Sequence, residues 1–206
     1  MIDFITQMIG SRPIEITAVI CGLFNIILLV RRSIWNYLFG LIMVTLYAKI
    51  FYENQLYSDA ILQIYFFVFQ IYGFYYWMQG KSDDGTVIVE YLPRTAYKFY
   101  FAIGLMAWFS WSFLMGHYTD ASNPYWDGAI AVLSMIAQFL LSRRHIESWY
   151  LWIVVDILAI GLFITKDLGP TAVLYGIFLV LSVIGLLGWQ KAARSTIKHA
   201  DTLTLG

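Results

Sequence analysis

Seven runs of predominantly apolar residues, each bounded by charge, occupy about 14–30, 34–53, 58–79, 95–116, 125–142, 147–165 and 170–190. A helix needs about 20 such residues to cross the ~30 Å hydrocarbon core of a bilayer, so runs of this length predict transmembrane helices. Composition agrees, with 60% of the 206 residues apolar and 13% charged, against roughly 45–50% and about 25% in soluble domains. Seven spans consume most of the chain. They predict one all-α integral membrane domain in a lipid bilayer, with no room for a second, soluble one. The formal net charge of zero supplies no field to recruit nucleic acid, and none is expected as a partner. Cys21 is the single cysteine, which excludes an internal disulfide and a cysteine metal cluster. The first run follows Arg12-Pro13 without a small-residue cleavage pattern, so it is expected to be a retained helix and not a signal peptide.

Basic residues set the expected orientation, because Lys and Arg concentrate in cytoplasmic loops. Arg31, Arg32, Lys81, Arg94, Lys98, Arg143, Arg144, Lys191, Arg194 and Lys198 fall on the side of the carboxy terminus, leaving Arg12, Lys49 and Lys166 for the other. The amino terminus is therefore expected outside and the carboxy terminus, including a tail over 191–206, in the cytoplasm. The longest connector, Lys81-Ser82-Asp83-Asp84-Gly85 through Pro93-Arg94, reads as polar and turn-rich.

Shifting the chain against itself by 112 residues places Arg31-Arg32 on Arg143-Arg144, Gly73 on Gly185 and Trp77 on Trp189, with twelve identities in 47 aligned positions. The paired arginines, the glycine and the tryptophan carry the match, since apolar composition inflates the rest. The shift maps helices 1–3 onto 5–7 and leaves helix 4, about 95–116, as a connector. The expected arrangement is 3+1+3, with repeat 1 at about 14–79 and repeat 2 at about 125–190. Moving a helix by four places preserves its direction, so the repeats are expected to be parallel, an arrangement found among secondary transporters with midplane substrate sites.

Asp156 falls at the middle of the sixth span. A carboxylate there costs about 2.5–3.5 kcal/mol on insertion scales and should face a cavity or a partner. Trp149 and Trp152 precede it on the same helical stripe. Two aromatic surfaces beside a negative charge suit an aromatic cation; a protonated or hydroxyl-bonded Asp156 with packing tryptophans is the plainer alternative. Tyr37, Gly40 and Val44 hold the equivalent places in helix 2, so the site is expected to be asymmetric. Gln63 and Gln70 share one face of helix 3 with Phe67 between them, and the repeat partner of Gln63 is Tyr175. Buried amides require partners, so Gln63 is a candidate ligand contact, Gln70 a candidate helix bond, and Asn25 and Gln138 are expected to bond structurally. The candidate substrate-binding set is Trp149, Trp152, Asp156, Gln63, Tyr175, Phe67, Gln70 and Tyr37. His117 and His145 lack a second ligand at metal spacing, and no phosphate loop, nucleophile elbow or His-Glu-x-x-His is present. No cofactor, metal or catalytic residue is expected.

At Trp35-Asn36-Tyr37-Leu38-Phe39-Gly40-Leu41-Ile42, Leu56-Tyr57-Ser58-Asp59-Ala60-Ile61-Leu62-Gln63 and Ile71-Tyr72-Gly73-Phe74-Tyr75-Tyr76-Trp77, the chain resembles the PnuC family of bacterial vitamin transporters. Pro124-Tyr125-Trp126-Asp127 and Arg143-Arg144-His145-Ile146-Glu147-Ser148-Trp149-Tyr150-Leu151-Trp152 look like two further segments of that family. The resemblance runs from about residue 14 to 190. It implies a SWEET-like bundle, a homotrimer with one pathway per subunit, the bacterial inner membrane, and facilitated diffusion of a vitamin. A cytoplasmic kinase would then trap the vitamin by phosphorylation, without stable contact. The tryptophan motif implies that Trp149 and Trp152 line the site, and the Leu-Gln pair of helix 3 implies the same for Gln63.

The family's nicotinamide riboside transporters commonly carry Asn four residues after the second tryptophan, where this chain has Asp156. That departure points to another cationic aromatic vitamin, and thiamine is the expected substrate, with nicotinamide riboside as the alternative. A carboxylate argues against uncharged riboflavin. The expected mechanism is alternating access, the two three-helix units rocking about a midplane site. Two other classes stay open. An intramembrane enzyme would need Asp156 to converge with Asp127 or Glu147, and a receptor would bind the vitamin without moving it.

Overall fold

The computed structural model describes residues 13–53, 57–80, 87–118 and 123–204. Arg12, Leu56 and the Lys81–Gly85 part of the connector lie outside the described residues. Seven helices run as α1 (Pro13–Val30), α2 (Asn36–Glu53), α3 (Tyr57–Met78), α4 (Arg94–Tyr118), α5 (Pro124–Ser142), α6 (Glu147–Thr165) and α7 (Gly169–Thr204). Five, namely α1, α4, α5, α6 and the Thr171–Ser195 stretch of α7, are long and apolar enough to cross a membrane. In α2 and α3 amides, charges and tyrosines dilute the apolar content. At 36 residues α7 spans about 54 Å, so much of the tail expected over 191–206 continues the helix.

Local signals explain the boundaries. Pro124 opens α5 at the first turn, where a missing N–H costs nothing. Helices α1, α5 and α6 each end on a non-glycine residue in the left-handed region, Arg32 (φ 56°), Arg144 (φ 65°) and Asp167 (φ 56°). In each, the N–H groups fold back in a Schellman pattern: Arg144 N donates to Leu141 O (2.9 Å) and His145 N to Leu140 O (3.0 Å), as Arg32 does to Leu29 and Ser33 to Leu28 (both 2.9 Å). The left-handed conformation costs each side chain roughly 1–2 kcal/mol. The two arginine turns offset that cost with contacts of their own.

Six helices close a ring: α1 packs on α2, α2 on α3, α3 on α5, α5 on α6, α6 on α7, and α7 back on α1. Helix α4 stands outside it, against α5. At the end that carries both arginine turns, a chain of four rings crosses the bundle. Tyr37 meets Trp77 edge-on at 5.2 Å, Trp77 meets Trp189 at 5.7 Å, and Trp189 meets Trp149 edge-on at 5.5 Å. Trp77 Nε1 donates to Leu141 O (3.3 Å) and Trp189 Nε1 to Leu29 O (3.2 Å), a pair related by the 112-residue offset. Gly73 and Gly185 make room for it, because a Cβ at Gly73 would meet the Tyr37 ring and one at Gly185 the Trp149 ring.

The connector between α3 and α4 departs from its polar appearance. Val87, Val89 and Leu92 are buried, and the first two belong to the core built around Trp77, Trp149 and Trp189. Val87 N donates to Arg32 O (3.3 Å) and Arg32 Nη1 returns a bond to Val87 O (3.1 Å). Glu90 N donates to Arg144 O (3.1 Å) and Ile146 N to Glu90 O (3.0 Å). The strap 87–92 is thereby tied to both arginine turns and covers that end of the ring. Alternation of Val87 and Val89 with Ile88 and Glu90 is a strand-like pattern inside a segment whose flanks are polar.

Candidate functional site

A cavity of about 200 Å³ occupies the middle of the ring, with walls from all six of its helices and none from α4. Asn25 of α1, Val44 of α2, Gln70 of α3, Gln138 of α5, Asp156 of α6 and Tyr175 of α7 represent the six. Trp149, Trp152 and Ser182 also line it. Helix α6 contributes Trp149, Trp152 and Asp156 because spacings of three and four residues return to one face. Of the eight candidates, Trp149, Trp152, Asp156, Gln70 and Tyr175 meet here.

The other three stand elsewhere. Phe67 is exposed on the outer surface of α3. Gln63 lies about 10 Å along α3 from Gln70 and is not part of the lining. Tyr37 is buried in the ring chain against Gly73, the counterpart of Trp149 against Gly185. The repeat placed Tyr37 correctly as an equivalent, but the cavity opens beside the tryptophan and not beside the tyrosine.

Asp156 is 3% exposed and accepts a hydrogen bond from Ser182 Oγ at 2.9 Å. That bond satisfies one carboxylate oxygen and fixes the side chain at the wall. Ser182 was not among the candidates, although it is the repeat partner of Gln70, and the offset marks it. Asn25 donates from Nδ2 to Asn36 O (2.8 Å), the structural bonding expected of it, while also forming part of the wall. Two buried polar atoms of the lining residues have no partner among the described residues, Gln70 Oε1, an acceptor, and Trp149 Nε1, a donor. An unpaired buried group of this kind costs about 1–3 kcal/mol. Trp149 is fully buried between Gly185 and Trp189, whereas Trp152 is half-buried.

The carboxylates required by an enzymatic reading do not converge. Glu147 is buried with each carboxylate oxygen engaged, accepting from Leu92 N (2.8 Å) and Tyr97 Oη (2.7 Å), and it lines a separate groove beside α4. Asp127 pairs with Lys166 at 3.3 Å, at the opposite end of the bundle from the arginine turns. Among the described residues no group of three His, Cys, Asp or Glu side chains is placed to hold a metal ion.

Comparison with known proteins adds an independent line. The family model described as nicotinamide mononucleotide transporter matches residues 12–191. The nicotinamide riboside transporter PnuC of Escherichia coli is 31% identical over 206 residues, covering 88% of this chain and 86% of its own. The protein of the same name from Neisseria mucosa is 30% identical over 192 residues, covering 86% and 72%. The riboflavin/roseoflavin transporter RibM of Streptomyces davaonensis is 26% identical over 182 residues, covering 85% and 83%. Among solved structures, the crystal structure of the vitamin B3 transporter PnuC superposes with a TM-score of 0.72 at 29% identity, covering 88% of this chain and 82% of that one. These names give the expectation of thiamine no support and favour the nicotinamide riboside alternative.

Proposed function

Because the chain belongs to the nicotinamide mononucleotide transporter family, whose relatives here are PnuC-type vitamin transporters, we propose that it carries nicotinamide riboside or a close analogue across the membrane through the central cavity. The observation that carries this reading is the combination in one cavity of a buried carboxylate, two tryptophans, and an unpartnered acceptor and donor. Nicotinamide riboside is a cationic ring with a carboxamide and a ribose. Asp156 balances the ring charge, and the half-buried face of Trp152 stacks on it. The carboxamide donates to Gln70 Oε1 and accepts from Trp149 Nε1. The cavity is small against the roughly 300–1,000 Å³ of drug-sized sites, as suits a nucleoside-sized cargo.

Transport is by alternating access and facilitated diffusion, with α1–α3 and α5–α7 acting as two parallel repeats on either side of the site. What supports that division is the closed ring and the exchange of tryptophan hydrogen bonds between equivalent carbonyls. The amino terminus is outside and the carboxy terminus cytoplasmic, supported by the arginine turns and Lys191 on one side and Lys166 on the other. Trimeric assembly in the bacterial inner membrane and trapping by a cytoplasmic kinase are supported by the family alone.

The test is equilibrium binding of nicotinamide riboside, thiamine and riboflavin to the purified protein, followed by flux into liposomes. The riboside is expected to bind most tightly and to equilibrate across the membrane. Tight binding of thiamine with none of the riboside overturns the substrate, and binding without flux overturns transport in favour of a receptor.

A further inference from the structure

Helices α3 and α4 both lean on α5, and between them lies a second cavity, about 310 Å³ and almost wholly apolar, lined by Tyr65, Tyr100, Ala107, Trp111 and Ile136 among others. From Tyr100 to Trp111 it follows α4 for about 16 Å, close to the depth of one leaflet of a ~30 Å hydrocarbon core. Arg143, the first residue after α5, stands at one end of this groove. Its guanidinium lies 5.9 Å from the ring of Phe139, which also lines the groove, and 5.6 Å from that of Tyr76. Tyr72 stacks on Tyr76 at 6.0 Å and Tyr100 meets Phe139 at 6.0 Å, so three phenol rings gather at this end.

Among the described residues Arg143 has no carboxylate within ion-pair distance, and its buried Nε has no partner. The neighbouring Arg144 differs, being held by Glu90 at 3.7 Å and lying over the Tyr76 ring at 4.7 Å. A cation with no carboxylate partner among the described residues, beside a cluster of phenol rings at the end of an apolar slot one leaflet deep, is complementary to a phosphate attached to an acyl chain. We propose that this groove is a binding site for one anionic phospholipid, its phosphate on Arg143 and the tyrosine hydroxyls and one acyl chain between α3 and α4. The site shares no lining residue with the central cavity, and its test does not depend on the transport reading.

Thermal unfolding of delipidated protein in an uncharged detergent distinguishes the outcomes. Dioleoylphosphatidylglycerol is expected to raise the midpoint by about 5–10 °C over the same amount of dioleoylphosphatidylcholine, the shift of a ligand near a hundredfold of its Kd on a chain of this length. Arg143→Gln removes most of that difference, Arg143→Lys keeps part of it, and Ala107→Phe, which fills the slot, abolishes it. If Arg143→Gln does not fold, the Arg143→Lys and Ala107→Phe pair decides. Equal stabilisation by both lipids, or an unchanged response in Ala107→Phe, overturns the proposal. The same shift from inorganic phosphate alone assigns the arginine to free phosphate and overturns it too. A change of oligomeric state in Ala107→Phe, with no lipid effect in the wild type, makes the groove a contact between copies of this chain.

Discussion

Asp156 and its neighbours show how single residues acquire meaning from their surroundings. A mid-span carboxylate demands a partner on energetic grounds alone, and Ser182 meets that demand only in part, with one hydrogen bond at 2.9 Å. Asp156→Asn keeps a group able to bond Ser182 but loses the charge, so affinity for a cationic vitamin is expected to fall about tenfold, ~1.4 kcal/mol, with the unfolding midpoint unchanged. Calorimetry beside a melting curve checks this; equal affinities make the residue structural. Trp152→Ala is expected to cost about 1–3 kcal/mol of binding, the usual value of a base stacked on an aromatic ring, and loss of folded yield in its place would mark the ring as packing. His145 belongs to stability. It is 8% exposed with Nδ1 unpartnered, and burial pushes its imidazole below the ordinary range, against the upward pull of Glu90 and Glu147 and with the help of Arg143. As pH falls below about 6.5 the unfolded chain takes up a proton that the folded one resists, so stability drops on that side. His145→Phe should flatten the dependence of the melting midpoint between pH 7 and 5; an unaltered slope refutes the assignment.

Among the elements, the strap 87–92 and the two arginine turns form one device. Each turn spends a left-handed residue on an arginine where glycine would be easier. The return is visible in the Arg32 bond to Val87 and the Arg144 ion pair with Glu90. Glu90→Pro removes the N–H that Arg144 O accepts, a loss worth about 1–3 kcal/mol where the carbonyl is left unpaired. Hydrogen exchange over 87–92 should accelerate about tenfold or more, and unchanged protection would show that the strap is held by its buried valines alone. Gly185→Ala brings a methyl into the Trp149 ring. Overpacking of this sort costs about 1–3 kcal/mol, so the variant should melt lower and bind more weakly together, because Trp149 lines the cavity it would be pushed towards.

At the scale of the whole molecule, the closed ring accounts for both the cavity and its asymmetry. Six helices in a ring leave a shared interior, and since the two halves differ in sequence, that interior carries an acid from one side and an amide from the other. The proposed orientation has a direct measurement. Lys166→Cys should react with a membrane-impermeant maleimide from outside intact cells and Lys191→Cys only after the membrane is opened. Labelling in the reverse order inverts the topology.

Span length, polarity and the repeat offset are local or nearly local properties, so the all-helical class, the seven helices and the α6 stripe of Trp149, Trp152 and Asp156 were legible in the residues. Hydrophobic periodicity sees one face of one helix and cannot say which neighbour that face meets. For this reason Phe67 and Gln63 read as companions of Gln70, although only Gln70 turns into the shared interior. Ser182 carried only the signal of its offset from Gln70, because an isolated serine in an apolar span is ordinary until it stands 2.9 Å from a carboxylate. The strap was hidden because its polar flanks outweigh three buried side chains in any window average. The pairing of strands of chain across the ring, Trp77 with Leu141 and Trp189 with Leu29, lies 64 and 160 residues apart in sequence. Contacts at such separation are decided by how the helices close on one another, and only the tertiary structure holds that information.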